Sequence, residues 1–384
     1  MQKIFCQDLT IDSLKRLLSK TKQNAQRFQI LTTLTEIADD GDWQKFNAEL
    51  LALSNACLLN ARTVTEKIAA KKYLSIALNN EGVICFNSGK MFEAEKFYLN
   101  ALKLQRELNL EKSAGETLNN LGDLKHITGN FDSAKICFMS SLRIRESLKD
   151  YAGTAQSLNN IGGIYDEIGN FSEAIDYYQR SLNIRQRLKN KYGIAQCLHN
   201  MATIYAATGE NEKAIEFCKE CLSYLQNSKN PEGLAAVNKT LAALYITKKE
   251  FDSADKHVCL AFKLYLEMGN KLGVAQTYLK QSEVALARLN FYKKLLSSQI
   301  DSISTVAKIY AEKGLAAAKD CNALEEIAAG YAYIAQALMA KEKFEDARIN
   351  AFKSWELATH LKSTETRRNI AHTLYKLFLQ KKRV

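Results

Sequence analysis

Proline is almost missing from this chain: Pro231 is the one example in 384 residues, and glycine numbers only 17. Turns between short strands consume both residues, so a sheet-rich or collagenous architecture is excluded and long helices become the default. Equally absent is any run approaching the roughly 18 apolar residues that cross a bilayer, although 47% of the chain is hydrophobic. No glycine-rich phosphate loop, dinucleotide fingerprint or serine elbow occurs, so catalysis has no visible residues and no cofactor is expected. The nine cysteines are odd in number and scattered, which gives no disulfide framework. The first ten residues, MQKIFCQDLT, lack the basic segment and apolar stretch of a secretory leader, and a reducing, cytoplasmic location is the expectation.

Charge is present but thinly spread. The net +11 divides into eleven basic against eight acidic residues in 1–73, 24 against 23 in 74–273, and 18 against 11 in 274–384. Phosphate binding wants a concentrated basic face, so nucleic acid is an unfavoured partner.

What the chain does contain is itself, repeated. SLNNIGGIYDEIGNFSEAIDYYQRSLNIRQRL at 157–188 aligns with TLNNLGDLKHITGNFDSAKICFMSSLRIRESL at 117–148, an offset of 40. The register holds through five units without a gap, because Ala94, Ala134, Ala174, Ala214 and Ala254 are 40 apart, as are Gly153, Gly193, Gly233 and Gly273. Within a unit, Leu158, Ile161, Gly162 and Tyr165 share one helix face, and after the turn Gly-Asn-Phe a second helix presents Ala174, Tyr178, Ser181 and Leu182. Such a helix pair cannot bury its apolar face alone; stacked copies share one continuous core.

The spacing resembles the tetratricopeptide repeat, with Leu158, Ile161, Gly162, Tyr165, Ala174 and Tyr178 in its slots. Leucine replaces the leading tryptophan, and the closing proline is missing because the second helix runs on by six residues. The 40-residue form is similar to the repeats of kinesin light chains, spindle-orientation adaptors and bacterial sensory regions. The resemblance covers roughly 24–361 and implies an all-α fold, a right-handed α-solenoid of tandem helix hairpins.

Four segments follow: 1–73 as an N-terminal cap with a degenerate repeat around the turn ADDGD, 74–273 as five regular units, 274–361 as two more, and 362–384 as a capping helix with a basic tail. In the first of the two later units, the interval from Ala285 to Ala307 is 22 where Tyr245 to Ala254 is 9, so 13 extra residues near NFYKKLLSSQIDS lengthen the connection.

Few polar residues suggest a site. Cys218 and Cys221 have metal-ligand spacing, but by register they fall on the inward slots of Tyr178 and Ser181 and no second pair completes four ligands, so packing is the expectation. His126, His199, His257, His360 and His372 are widely separated and form no metal motif. Arg143, Arg145, Arg185 and Arg187 recur near second-helix ends beside Glu146 and Asp150 and read as a solvated, charge-compensated face. A ladder remains: Asn79 and Asn80, Asn119 and Asn120, Asn159 and Asn160, then His199 and Asn200 hold one place in four successive first helices. Asparagine is a poor helix former, so its recurrence there needs a reason beyond propensity. In tetratricopeptide proteins these slots face the concave groove, where amides would bind the backbone of an extended peptide; alternatively they bridge adjacent first helices.

The same register puts Asp123 and Asp166 in that groove and, further on, Lys239 and Lys280, acidic giving way to basic. No lysine or arginine accompanies Asn120 and Asn160, which argues against the chaperone tails that some family members hold by a terminal carboxylate. Phe291, Tyr292, Lys293 and Lys294 in the insertion form a possible second contact, unless the aromatics fold back on neighbouring helices. The expected function is a non-catalytic scaffold that binds an extended segment of a protein partner. The alternative is a sensory module controlling a separately encoded effector; the segment DSLKRLLSKTKQ at 12–23 resembles the start of bacterial sensory regions of this kind, which favours a bacterial origin.

Overall fold

The computed structural model describes residues 10–38, 41–226, 230–292, 294–361 and 364–381. Among these the secondary structure is α-helical without a strand. The helices are α1 (Ile11–Lys20), α2 (Asn24–Ile37), α3 (Asp42–Asn60), α4 (Val64–Asn87), α5 (Met91–Glu107), α6 (Glu111–Ile127), α7 (Phe131–Ser147), α8 (Tyr151–Glu167) and α9 (Phe171–Arg187). They continue as α10 (Lys191–Ala207), α11 (Asn211–Leu225), α12 (Pro231–Thr247), α13 (Phe251–Glu267), α14 (Lys271–Phe291), α15 (Ser297–Asp320), α16 (Leu324–Ala340), α17 (Phe344–His360) and α18 (Thr364–Lys381). Residues 39 and 40 of the turn ADDGD and the last three residues of the basic tail lie outside the described residues.

The chain divides into two compact units, Met1–Leu188 and Lys189–Val384. Each is a right-handed solenoid of tandem helix hairpins, every helix packed against the next in sequence within its unit. Local chemistry sets the helix ends. Asp150, Asn190, Asn230 and Asn270 accept a hydrogen bond at Oδ1 from the N–H of the glycine three residues on, which satisfies one of the orphan donors of the first turn. Pro231 occupies the first position of α12, where a missing N–H costs no intrahelical bond. Between the two helices of a hairpin, Gly129 and Gly169 take φ of +76° and +77°, a left-handed geometry that glycine adopts without a Cβ penalty.

The core explains the 40-residue register. Ala94, Ala134, Ala174, Ala214 and Ala254 are all fully buried. Beside them the two helices of a hairpin approach closely: a Cβ on Gly82, Gly122 or Gly162 would meet the ring of Tyr98, Phe138 or Tyr178 at 2.4, 2.5 or 2.8 Å. In the next two hairpins the slots hold Ala202 with Cys218 and Ala242 with Val258, all buried, so the first helix gains a methyl where the second loses a ring. Interiors at crystal-like density require that kind of volume exchange.

The 13 extra residues are absorbed mainly as helix. Against the 17 residues of α12 and α13, α14 has 21 and α15 has 24, and the connection of five residues between them is two longer than the turn before α13. They therefore extend the hairpin and leave little loop.

Candidate functional site

The asparagine ladder is real, and its amides are joined to one another. In the first unit, Asn80 Nδ2 donates to Asn47 Oδ1 (3.0 Å), Asn120 Nδ2 to Asn79 Oδ1 (3.1 Å) and Asn160 Nδ2 to Asn119 Oδ1 (3.2 Å). The last two rungs link successive first helices, α6 to α4 and α8 to α6, while the Asn80 rung ties α4 to α3, the second helix of the preceding hairpin. Asn79 Oδ1 also accepts from Thr117 Oγ1 at 3.0 Å, which in turn accepts from Gln105 Nε2 at 2.9 Å. The bridging role therefore accounts for why a weak helix former recurs mid-helix.

Asp123 joins the ladder. Its carboxylate accepts from Asn119 Nδ2 and Asn160 Nδ2, both at 3.1 Å, and burial pushes its pKa up to about 7, with Arg145 opposing the rise. Asp166, on α8, is half-buried and raised by burial and by neighbouring Glu167. Asn159 is buried and has partners of its own.

The arginines depart from expectation. Arg143 and Arg187 are exposed, but Arg145 and Arg185 are buried, at 5% and 6% exposure, and do not belong to a solvated stripe. Arg145 Nη1 donates to Gly153 O at 2.8 Å and Ser157 Oγ at 3.0 Å, and reaches Asn119 Oδ1 and Gln156 Oε1 at 3.4 Å. The signal was in the register: the same slot holds Gln105, Leu225 and Tyr265, all buried, and leucine or tyrosine there marks an inward position.

Cys218 and Cys221 are packed inward. Burial pushes both thiols up to about 12, so neither is a thiolate at neutral pH. Cys221 Sγ donates to Ala195 O at 3.1 Å, repeating the bonds of Ser141 to Gly115 O and Ser181 to Ala155 O in its slot. No group of three or more His, Cys, Asp or Glu among the described residues is arranged to hold a metal ion.

In the second unit, His199 Nε2 is 2.9 Å from Thr240 Oγ1, and burial, aided by Lys239, pushes the imidazole down to about 4. Asn200 is half-buried with partners of its own. Lys239 and Lys280 meet at a cleft of about 430 Å³ walled by α12, α14 and α16. Lys239 Nζ donates to Gln276 Oε1 at 2.6 Å, and Gln276 Nε2 donates to Glu326 Oε1 at 2.7 Å. Lys280 Nζ is 2.6 Å from Glu283 Oε2, which also accepts from Tyr333 Oη at 3.1 Å. Glu325 stands exposed at the mouth and makes no ion pair among the described residues, and neither does Lys239. Burial, then the charge of Lys280, lowers the pKa of Lys239.

The sequence reading missed Gln276, Glu283 and Glu326. Once the insertion is counted, Glu326 occupies the slot of Gly273, an exchange of glycine for a carboxylate that register exposes.

Of the second candidate contact, Phe291 and Tyr292 lie against the buried ring of Phe251, with centroids 5.7 and 6.3 Å away, and Lys249 sits 5.0 Å over Phe291. Both stay partly exposed, Lys294 is exposed in the connection, and Lys293 lies outside the described residues.

Fold and faces together define a helix-hairpin repeat protein whose successive first helices are cross-braced by polar side chains. It contains tetratricopeptide repeats: models of that description match residues 73–147 and 113–187, and residues 195–224. No curated protein matches the sequence. Among solved structures, the chain is similar to aspartyl phosphate phosphatase F from Bacillus subtilis, at 11% identity over 93% of this chain and 94% of that one, TM-score 0.60. It is also similar to the apo quorum sensor NprR from B. thuringiensis, at 15% identity over 90% and 97%, TM-score 0.61. A third likeness is to the Rap conjugation gene regulator of plasmid pLS20 in complex with the Phr* peptide, at 14% identity over 88% and 95%, TM-score 0.51. At these identities the likeness is one of fold. No helix among the described residues is long and apolar enough to cross a membrane.

Proposed function

We propose that the chain is a non-catalytic interaction scaffold that receives an extended segment of a protein partner on its first-helix face. The observation that carries this reading is the cleft of the second unit, where Lys239, Lys280, Glu325 and Glu326 converge from three first helices. Lys239, Lys280 and Glu326 are half-buried and held by Gln276 and Glu283 before any ligand arrives, so they need little reordering on binding. A similar fold is seen with a peptide in the pLS20 regulator, which supports the choice of ligand class. In the first unit the asparagine rungs support such a face by holding successive first helices in register.

Affinity capture with the full chain, wild type beside a Lys239→Ala, Lys280→Ala variant of matched thermal stability, tests the reading. Partners bound by the wild type should be depleted from the variant, and cross-links should fall on α12, α14 and α16. Undiminished capture, with cross-links at Phe291, Tyr292 and Lys294, would sink it and move the interface to the extended hairpin.

A second reading makes the same binding event regulatory, the chain controlling a separately encoded effector. Likeness of fold over about nine-tenths of the chain to a quorum sensor and a gene regulator supports it. Its mark is an effector whose affinity changes when the peptide segment is added.

A further inference from the structure

Lys239 and Glu326 have opposite charges and line one cleft, yet they do not pair. Gln276 stands between them, its carbonyl taken by the lysine and its amide nitrogen by the glutamate. The amide holds the two charges on opposite walls, one on α12 and one on α16. Lys280, on α14 and paired with Glu283, adds its charge near Lys239, and Glu325, which makes no ion pair among the described residues, stands beside Glu326 on α16. The cleft is thus a fixed dipole, and its complement is a ligand with the reversed dipole at the same spacing. In an extended peptide, side chains two residues apart point the same way about 7 Å apart. That span suits two charges separated by one side-chain amide.

We infer that the cleft reads a mixed-charge pattern in its partner, an acidic side chain set against Lys239 and Lys280 and a basic one two residues along set against Glu325 and Glu326. The inference rests on the peptide-scaffold reading and narrows it. A uniformly acidic segment would leave Glu325 and Glu326 facing like charge, and a uniformly basic one would do so at Lys239 and Lys280; like-charge contacts are heavily penalised. The depressed pKa of Lys239 agrees: burial first, and then the charge of Lys280, disfavour its ammonium, and a ligand carboxylate at this place would offset both.

Four synthetic peptide libraries with randomised flanks, fixed at the centre as Glu-x-Lys, Lys-x-Glu, Glu-x-Glu or Lys-x-Lys, are offered to the full chain. One mixed-charge library should be retained about five- to tenfold better than either like-charge library. The Lys239→Glu, Glu326→Lys variant should prefer the reverse order of charges, a gain of preference that misfolding cannot imitate. Retention of peptides without regard to central charge, or an unchanged preference in the swapped variant, overturns this inference and leaves the peptide scaffold standing. Retention of no library by wild type overturns both.

Discussion

Asp123 has an unusual position among the carboxylates. It takes two amide N–H donors, yet burial outweighs them and holds its pKa near 7, above the value of about 3.9 in an unfolded chain. An acid shifted in this direction binds its proton more tightly when folded. Its contribution to stability is therefore full below about pH 4 and lost as pH rises through about 7. Replacement of Asp123 by asparagine keeps the shape and removes the titration. The denaturation midpoint of D123N relative to wild type should be higher at pH 8 than at pH 5; a constant difference between the two would refute the assignment. Arg145 is buried as well: four acceptors share one of its guanidinium nitrogens, so Arg145→Ala removes that common donor and empties a packed site, and should cost roughly 3 kcal/mol, read from chemical denaturation.

At the level of helices, the decisive contact is the close crossing within a hairpin. Gly122→Ala drives a methyl into the Phe138 ring, 2.5 Å from the new atom, and should destabilise the chain by roughly 1–3 kcal/mol. Adding Phe138→Val, which copies the Ala242 and Val258 pair, should recover part of that loss, and a double-mutant cycle measures the coupling. This complementarity also marks how far the sequence could be read. The recurring alanines and glycines declared the hairpins, because small residues at fixed spacing admit only one packing. Asn79, Asn120 and Asn160 declared a ladder but not its use, since an amide has the same donors and acceptors for a neighbouring helix as for a peptide. Arg145 and Arg185 looked solvated because charge is usually exposed, and only their alignment with Leu225 and Tyr265 contradicts it. Gln276 and Glu326 could not be paired on sight, because the extended hairpin of α14 and α15 puts them 50 residues apart.

For the whole molecule, a hairpin array with short-range contacts stores its stability locally. Hydrogen exchange on the Gly122→Ala variant should rise in α5 to α8 and stay at the wild-type level in α15 to α17. A uniform rise throughout would mean that the chain opens as one cooperative body. The distribution of thiols makes the same property observable by another route. Cys57, Cys85, Cys137, Cys197, Cys218, Cys221, Cys259 and Cys321 lie on α3, α4, α7, α10, α11 and α13 and at the end of α15, and of these only Cys259 is exposed. An alkylating reagent added to the native protein should mark Cys259 within the first moments. Half-buried Cys57, Cys85, Cys137 and Cys321 should follow, and buried Cys197, Cys218 and Cys221 should react last, at rates set by how often their own hairpins open, so that mass spectrometry of timed samples turns these cysteines into a row of clocks.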